Sequence, residues 1–337
     1  MNENPEPPLE LLQSPPLEAL AQVHRYPIES AERLRQRLAA LHELPADQVL
    51  VTNGATEAIS FIPRALYGPH VRALLPDCTF TAYRSACAAA GLAVDEVPTE
   101  LAGSSPSAAR SELAALSRSV GPMIKLIFLA NPNNPTGAYF THGELAHFLS
   151  TLPPWVVVVL DEAYKDYAPE LDLPDSAALR REHRNLIVMR TFSKSYGIAA
   201  LRVGYLLGDA TLLGRLEKAR DPFSGNLFGH AAALGLLEQP ELLPRVVERN
   251  RARRALLTAV LRELGLLVYP SAANFVLVDL PQRGEDFAQL LRARGVLVRT
   301  LTDCGRPASL RISVGTEAEI ERLRCEMSAI LRAQVAR

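Results

Sequence analysis

The stretch that decides the fold is Arg190-Thr-Phe-Ser-Lys-Ser-Tyr-Gly-Ile-Ala-Ala-Leu-Arg202. It directly follows Leu186-Ile-Val-Met189, a short apolar run that predicts a buried strand. The stretch places a hydroxyl and an amine side by side, at Ser193 and Lys194, and ends on the guanidinium of Arg202. Of the 36 Lys and Arg residues in the chain only four are lysines, so an amine at this point is unusual. Because an amine can lose its proton and attack a carbonyl whereas a guanidinium cannot, Lys194 is the first candidate for a covalent role.

The bulk composition indicates a two-domain cytoplasmic protein. The chain has 337 residues, of which 48% are apolar, enough for a sizeable core. Its net charge of −1 argues against a nucleic-acid or membrane-surface protein, since those usually carry a basic face. No apolar run has the length of a membrane span, and no signal-peptide pattern is found. The cysteines form no Cys-x-x-Cys pair, so we expect reduced thiols and neither disulfides nor a metal site; they are Cys78, Cys87, Cys304 and Cys325.

Alternating apolar runs and helical segments predict an α/β fold. The apolar runs that predict strands of one large sheet are 49–51, 71–75, 92–97, 124–130, 155–160, 186–189 and 203–207. Trp155–Leu160 is apolar at every position, as is typical of a parallel strand buried on both faces by helices. Residues 101–120, rich in Ser and Ala, are expected to connect two strands. We therefore expect a large domain with a mostly parallel central sheet covered by helices, plus a smaller α/β C-terminal domain.

The predicted organisation is an N-terminal arm at 1–28, a large domain at 29–240 and a small C-terminal domain at 241–337. Prolines are frequent in the arm, which predicts an extended path with little helix. Ser30 is expected to cap the first helix, with Leu34, Leu38 and Leu41 on its buried face. Helix Glu241–Leu264 should bridge to the small domain. That domain should hold strands at 275–278, 296–298 and 310–314, a helix at 286–293 and a last helix opened by the capping box Thr316-x-x-Glu319.

Four polar clusters lie at the ends of predicted strands, where parallel sheets bind their ligands. They are Asn53-Gly-Ala-Thr56, Asn131–Gly137, Asp161-Glu-Ala-Tyr164 and the stretch around Lys194. The first of them meets a helix N-terminus, whose exposed N–H groups favour an anion.

Each cluster has a simpler interpretation when it is taken alone. Asn53-Gly54 could be a hairpin turn, Asn-Pro-Thr-Gly a plain turn, and Asp161 a helix cap. Ser193 and Lys194 could be a hydrolase pair, although adjacent residues on an ordered segment point apart. The combination of all four clusters, in this order and at strand ends, is what makes the pattern specific.

The combination resembles the fold-type-I pyridoxal-phosphate (PLP) enzymes, the aspartate aminotransferase superfamily, over nearly the whole chain. Within that superfamily the sequence is similar to the histidinol-phosphate aminotransferase family. The motifs that carry the closer match are Asn2-Glu-Asn-Pro5, Arg25-Tyr-Pro27, Asn133-Asn-Pro-Thr-Gly137, Asp161-Glu-Ala-Tyr164, Arg190-Thr-Phe-Ser-Lys194, Asn274-Phe275 and Leu310-Arg-Ile-Ser-Val-Gly-Thr316.

The resemblance implies a set of residues around the PLP ring. Lys194 matches the lysine that forms the Schiff base with the cofactor aldehyde and afterwards moves a proton, and burial beside the cationic ring is expected to lower its pKa. Asp161 matches the carboxylate that keeps the pyridine nitrogen protonated. Asn134 and Tyr164 match the donors to the phenolate oxygen, and Phe80 matches the residue that stacks on the ring.

The resemblance also implies a phosphate site and a homodimer. The backbone of Ala55 and Thr56, the Ser193 hydroxyl and Arg202 match the groups that hold the cofactor phosphate. Tyr26 matches a tyrosine that reaches the phosphate from the neighbouring subunit, so the active sites should be shared between two subunits. The simpler interpretation of Tyr26 is an arm residue that packs locally.

For the substrate, the resemblance implies three residues of the small domain. Arg311 matches the arginine that aminotransferases use for the substrate carboxylate, and Arg299 with Arg311 matches the pair that binds the substrate phosphate in the histidinol-phosphate family. The simpler interpretation of Arg299 is a chance match in an arginine-rich chain. Asn274 is expected beside the amino-acid backbone of the substrate.

The implied reaction is L-histidinol phosphate with 2-oxoglutarate, giving imidazole acetol phosphate and L-glutamate in histidine biosynthesis. The alternatives are an aromatic or broad-specificity aminotransferase and a threonine-phosphate decarboxylase. A non-catalytic PLP-binding regulator would need a DNA-binding segment ahead of the arm.

In the family an additional arm precedes Asn-Glu-Asn-Pro and covers the active site, whereas here Met1 precedes the motif. We therefore expect a naturally short chain, a misplaced start or a differently built lid.

Overall fold

The structure is a computed structural model that describes residues 3–9, 11, 17–66, 70–99 and 106–335. Its large sheet has seven strands. They are β1 (Val49–Thr52), β2 (Arg72–Pro76), β3 (Ala93–Val97), β4 (Ile124–Ala130), β5 (Val157–Asp161), β6 (Leu186–Thr191) and β7 (Gly204–Leu207).

The large sheet is mostly parallel, as the sequence predicts. Its strand order is β1-β7-β6-β5-β4-β2-β3, and every neighbouring pair from β6 through β3 is parallel. Strand β7 alone runs antiparallel to its two neighbours in this sheet, β1 and β6. In the parallel register Ala130 pairs with Asp161, and Asp161 pairs with Met189. The polar residues that follow β4, β5 and β6 therefore emerge at one edge of the sheet.

Helices cover the large sheet on both faces. They are α1 (Ile28–Leu41), α2 (Ala55–Leu66), α3 (Ala82–Ala89), α4 (Pro106–Ser119), α5 (His142–Thr151), α6 (Ser176–Glu182), α7 (Ala210–Ala219) and α8 (Leu227–Leu237). Every residue of β5 is buried, because Val158 and Leu160 join the core on one face while Val157 and Val159 join the core on the other. The non-alternating apolar run thus has the two-sided burial that it predicts.

The small sheet is antiparallel, in the order β10-β11-β9-β8. Its strands are β8 (Leu267–Val268), β9 (Phe275–Asp279), β10 (Arg299–Leu301) and β11 (Arg306–Ser313), and its helices are α9 (Leu242–Glu263), α10 (Gly284–Ala293) and α11 (Glu317–Val335). The predicted capping box before α11 is confirmed: Glu319 N–H donates to Thr316 Oγ1 at 3.3 Å, and Thr316 N–H donates to Glu319 Oε2 at 2.7 Å.

Helix α9 connects the cores of the two sheets. Leu242 and Val246, near its start, pack into the core of the large sheet. Leu257 and Leu261, near its end, pack into the core under the small sheet. Each fully buried side chain of this kind contributes roughly 1.5–3 kcal/mol. The bridging role predicted for this helix is thus confirmed, while the domain bounds at 28 and 240 stay a prediction.

Several local predictions need correction. The Ser- and Ala-rich segment includes helix α4, where the prediction had only a connection. Ser30 lies inside α1, because the helix starts at Ile28 after Pro27, whose restricted φ suits a helix start. Leu41, at the end of α1, is 46% exposed and not on the buried face. Strand β10 begins at Arg299, not at Val296, because its ladder partner there is Arg311.

The predicted arm is not extended throughout its described part. A 3-10 helix spans Leu17–Gln22. Much of the rest of the predicted arm, at 1–2, 10 and 12–16, lies outside the described residues. Within the described part of the chain, none of the helices combines the length and apolar character that crossing a membrane requires.

Candidate active site

A cavity of about 600 Å³ opens at the edge of the large sheet where the parallel strands end. Residues of both sheets line it, including Arg299 and Arg311 from the small sheet. Of the residues predicted from sequence, all but Asn274 and Tyr26 line this cavity: Ala55, Thr56, Phe80, Asn134, Asp161, Tyr164, Ser193, Lys194, Arg202, Arg299 and Arg311. The structure therefore brings together residues that lie as far apart in sequence as Ala55 and Arg311.

Lys194 lies just beyond the end of β6 in this cavity. Its amine is 5.5 Å from the centre of the Tyr164 ring. Burial, and then the nearby Arg311 guanidinium, lower the pKa of Lys194 to about 8. An amine with this pKa is deprotonated in about one molecule in ten at pH 7, far more than an ordinary lysine, and can act as a nucleophile or a base.

Asp161 ends β5 and is buried, with both carboxylate oxygens hydrogen-bonded. The Tyr83 hydroxyl donates to Oδ2 at 2.6 Å, and the Ala163 N–H donates to Oδ1 at 3.0 Å. Burial raises the pKa of Asp161, and these two hydrogen bonds oppose that rise. A buried carboxylate of this kind suits a cationic ring nitrogen, which would compensate its charge.

Tyr83, in α3, is a site residue that the sequence interpretation missed. It is fully buried and stacks on Phe128 at a ring distance of 4.8 Å. Burial and the Asp161 carboxylate raise the pKa of Tyr83 well above its usual value, so its hydroxyl stays protonated and donates. No polar motif surrounds Tyr83 in the sequence, so no local signal could have revealed it.

An anion site forms where β1 leads into α2. Gly54 has φ of 78°, and a Cβ at this position would lie 2.5 Å from Arg202 Nη2. Arg202 Nη1 donates to Ser193 Oγ at 3.3 Å. The Thr191 hydroxyl also donates to Ser193 Oγ, at 2.9 Å. The N-terminus of α2, a hydroxyl and a guanidinium thus converge on one place, as binding a phosphate requires.

Asn134 connects the two sheets within the cavity. Its Nδ2 donates to the Tyr164 hydroxyl at 3.4 Å, and its Oδ1 accepts from Arg311 Nη1 at 2.6 Å. The neighbouring Asn133 positions the loop that carries Phe80: it accepts from the Thr79 hydroxyl at 2.9 Å and donates to the Cys78 carbonyl at 2.9 Å. Asn133 is thus a positioning residue for the loop that carries Phe80.

Arg299 and Arg311 are direct ladder partners on β10 and β11. Arg311 is buried, lies 5.2 Å from the Phe275 ring centre, and has a buried Nε with no hydrogen-bond partner among the described residues. Arg299 is partly exposed and pairs with Asp303 at 2.6 Å. The pair presents two guanidinium groups, which suits an anionic substrate group with several oxygens.

Asn274 and Tyr26 lie elsewhere than the other predicted residues. Asn274 is buried, does not line the cavity, and donates through Nδ2 to the Glu3 carbonyl at 3.3 Å. Tyr26 is 69% exposed, does not line the cavity of its own chain, and stacks on Phe223 at 4.1 Å. Glu3, which was not predicted as a site residue, does line the cavity. The Asn-Glu-Asn-Pro motif, which contains Glu3, is the sequence feature that could have identified it as a site residue.

The arrangement fits pyridoxal phosphate. The cavity offers an amine for an aldehyde, a buried carboxylate for a ring nitrogen, and an anion site for a phosphate. The missing side chain of Gly54 leaves room for the Arg202 guanidinium at this anion site, since an added Cβ would lie 2.5 Å from Arg202 Nη2. These are the groups that a PLP enzyme must supply.

Comparisons with known proteins agree with this geometry. The family model for class I and II aminotransferases matches residues 2–325. Histidinol-phosphate aminotransferase from Symbiobacterium thermophilum is 39% identical over 322 residues, covering 95% of this chain and 86% of that protein. The enzyme of the same name from Geobacillus sp. is 34% identical over 331 residues, covering 98% of this chain and 89% of that protein.

A solved structure gives the same result. Histidinol-phosphate aminotransferase from Sinorhizobium meliloti in complex with pyridoxal-5'-phosphate has a TM-score of 0.89 at 26% identity, covering 99% of this chain and 90% of that one. The predicted aspartate aminotransferase-like fold and the PLP cofactor are confirmed. The chain belongs to the class I and II aminotransferases and is a PLP-dependent transaminase similar to histidinol-phosphate aminotransferases.

Proposed function

We propose that this transaminase converts L-histidinol phosphate and 2-oxoglutarate into imidazole acetol phosphate and L-glutamate in histidine biosynthesis. The observation that carries the proposal is the Arg299–Arg311 pair in the cavity, with Nε of buried Arg311 left without a partner among the described residues. A phosphate dianion offers three oxygens and takes two guanidinium groups better than a carboxylate does. The names of the relatives support the same substrate.

The proposed roles at the cofactor follow the geometry. When bound, PLP supplies an electron-withdrawing ring that accepts the amino group of the substrate. Asp161 would hold the ring nitrogen, with Tyr83 orienting its carboxylate. Asn134 and Tyr164 would donate to the phenolate oxygen, Phe80 would stack on the ring, and the groups that would hold the phosphate are Ala55, Thr56, Ser193 and Arg202.

Lys194 is the proposed catalytic residue. Its Nζ would take a proton from the substrate carbon that carries the amino group. The amine can act as this base near neutral pH because burial and Arg311 lower its pKa to about 8. Lys194→Ala should therefore lose the transfer by several orders of magnitude.

We also propose that the protein is a homodimer in which Tyr26 reaches the phosphate site of the partner. Support comes from the arm, where Tyr26 stacks on Phe223 while both rings are at least half exposed. Nearby in sequence, Leu20, Val23 and Ile28 are also more than half exposed, an apolar surface that a second subunit would cover. Mixing Lys194→Ala with Tyr26→Ala should restore partial activity, because hybrid dimers then contain one intact site. No restoration in a mixture that does form dimers would refute the shared site.

A single-turnover experiment tests the proposed substrate. The PLP form is mixed separately with histidinol phosphate, phenylalanine and threonine phosphate, and its absorbance is followed as the amine form appears. We expect histidinol phosphate to react fastest. Much faster conversion of phenylalanine would indicate the aromatic alternative, and release of CO₂ from threonine phosphate would indicate the decarboxylase.

A further inference from the structure

The charged side chains that line the cavity leave one carboxylate without an assigned role. The cations are Lys194, Arg202, Arg299 and Arg311, and among the described lining residues the carboxylates are Asp161 and Glu3. Asp161 is buried, with both oxygens held by Tyr83 and Ala163. Glu3 is exposed and lies where a bound substrate can meet it.

Contacts of Glu3 and Glu6 hold the N-terminal segment at the cavity. The Asn274 side chain donates to its carbonyl at 3.3 Å. Three residues later, the Glu6 carboxylate accepts from Arg253 Nη1 at 3.0 Å and lies 2.7 Å from Arg249 Nη1. Arg253 in turn binds Glu317 at 2.9 Å, so this segment is tied to α9 and to the start of α11. The Glu3–Glu6 segment is therefore held at both of its ends, with Glu3 in the wall of the cavity.

Glu3 is close enough to two assigned groups to act on both. Its negative charge opposes the lowering of the pKa of Lys194 and of Arg311 that burial causes. These two groups are the proposed contacts for two of the three branches of histidinol phosphate, the amine-bearing carbon and the phosphate. The third branch is the imidazole ring. Glu3 is the remaining charged residue of the described cavity wall to which no contact with the cofactor or the substrate has been assigned.

Imidazole chemistry matches a carboxylate. The ring has an N–H donor and an ordinary pKa near 6.5. A hydrogen bond from the ring to a carboxylate is charge-assisted and raises the pKa of the bound imidazole. A phenyl ring offers no donor and would only remove water from the carboxylate of Glu3. The carboxylate of threonine phosphate would be repelled by the negative charge of Glu3.

We infer, on the basis of the proposed function, that Glu3 is the specificity-determining residue that accepts a hydrogen bond from the imidazole N–H of the substrate. It selects imidazole-bearing amines over aromatic amino acids and over phosphorylated amino acids. The site thereby discriminates among the three candidate substrates with a residue that lies outside the cofactor set.

The test compares Glu3→Leu and Glu3→Gln with the wild-type holoenzyme in single-turnover reactions. For Glu3→Leu we expect the ratio of rate to dissociation constant for histidinol phosphate to fall by about 10- to 100-fold, with phenylalanine unchanged or faster. Glu3→Gln keeps an acceptor without the charge, so its loss should be smaller. The matched control is Glu182→Gln, at an exposed glutamate that ends α6. It should leave the ratio of rate to dissociation constant unchanged for both substrates.

Calorimetry of histidinol phosphate binding to the cofactor-free protein gives a second readout. Near pH 7, wild type should take up more protons on binding than Glu3→Gln does, because the carboxylate raises the pKa of the bound imidazole. Two results would overturn the inference while the proposed function stands. One is an equal fall, in Glu3→Leu, of the ratio of rate to dissociation constant for histidinol phosphate and for phenylalanine. The other is equal proton uptake by wild type and Glu3→Gln. Wild type that fails to convert histidinol phosphate would overturn both.

Discussion

The Tyr83 hydroxyl donates a 2.6 Å hydrogen bond to Asp161 Oδ2 across 78 residues of sequence. The two side chains are buried, and this hydrogen bond holds the Asp161 carboxylate from the side of α3. Because Asp161 is the proposed partner of the PLP ring nitrogen, the tyrosine orients this carboxylate and opposes the rise of its pKa that burial causes.

Tyr83→Phe should therefore weaken cofactor binding. Without the hydroxyl the pKa of Asp161 rises further, since the hydrogen bond from Tyr83 is the largest effect that lowers it. Loss of one buried hydrogen bond to a charged group predicts an affinity for PLP about 10- to 100-fold lower, measured by absorbance titration of the cofactor-free protein. Tyr139→Phe, at a half-buried tyrosine that does not line the cavity, is the control. An unchanged PLP affinity in Tyr83→Phe would contradict the role given to this hydroxyl.

Gly54→Ala should weaken binding of the phosphate group. Gly54 has φ of 78°, and the added Cβ would lie 2.5 Å from Arg202 Nη2, which must then move. Gly91→Ala is a matched control, because Gly91 has φ of 72° but nothing within 4 Å of the added Cβ. Both variants should lose about 1 kcal/mol of stability from the left-handed backbone.

Only Gly54→Ala should in addition raise the dissociation constant for PLP, by tenfold or more, whereas pyridoxal without its phosphate should bind both variants alike. Thermal unfolding and absorbance titration measure the two effects separately. Equal PLP affinities in the two alanine variants would show that Arg202 does not need its present position.

Attachment of PLP to the cofactor-free protein should depend on pH through Lys194. Burial lowers the pKa of this amine from 10.5 to about 8, and only the deprotonated amine attacks an aldehyde. The attachment rate should rise tenfold per pH unit below about pH 8 and level off above it, as followed by absorbance after mixing.

Arg311→Leu should move this pH profile of attachment upward, because the Arg311 guanidinium is the second cause of the lowered pKa. Arg299→Leu should leave the profile in place, since Arg299 is not among the main groups that shift the pKa of Lys194. A midpoint of the profile near pH 10 in the wild type would contradict the lowering of the Lys194 pKa by burial.

Glu112 should make the protein less stable as pH rises. This side chain is buried in α4, and burial raises its pKa from 4.5 to about 7. A carboxyl whose pKa is higher in the folded state binds more protons there, so its contribution to stability is present below about pH 4.5 and is lost as pH rises to about 7.

Glu112→Gln should therefore remove part of this pH dependence and stabilise the protein at pH 8, by on the order of 1–3 kcal/mol. Urea unfolding at pH 5 and pH 8 measures the difference. Glu182→Gln, at an exposed glutamate, should shift neither value. If Glu112→Gln and wild type lose stability equally between these pH values, Glu112 is not the group responsible.

That Lys194, Asp161 and Asn134 would lie in one cavity could be predicted from sequence, while their roles at the cofactor stay a prediction. Lys194, Asp161 and Asn134 each follow an apolar run, and parallel strands carry their ends to one edge. Local rules also worked for the capping box at Thr316, which depends on residues three positions apart. They failed at Val296–Val298, because the start of β10 is decided by its pairing with β11.

By itself the sequence determined the α/β alternation, the two-sided burial of β5 and the identity of the residues around Lys194, since these depend on local periodicity and on chemistry carried by neighbouring residues. Only the tertiary structure decided that Tyr83 would hold Asp161, that Arg311 would reach Asn134, and that Asn274 would hold Glu3 at the cavity. Those contacts join residues that are 78, 177 and 271 positions apart. No local pattern encodes them, because they exist only once the two sheets and the N-terminal segment have packed together.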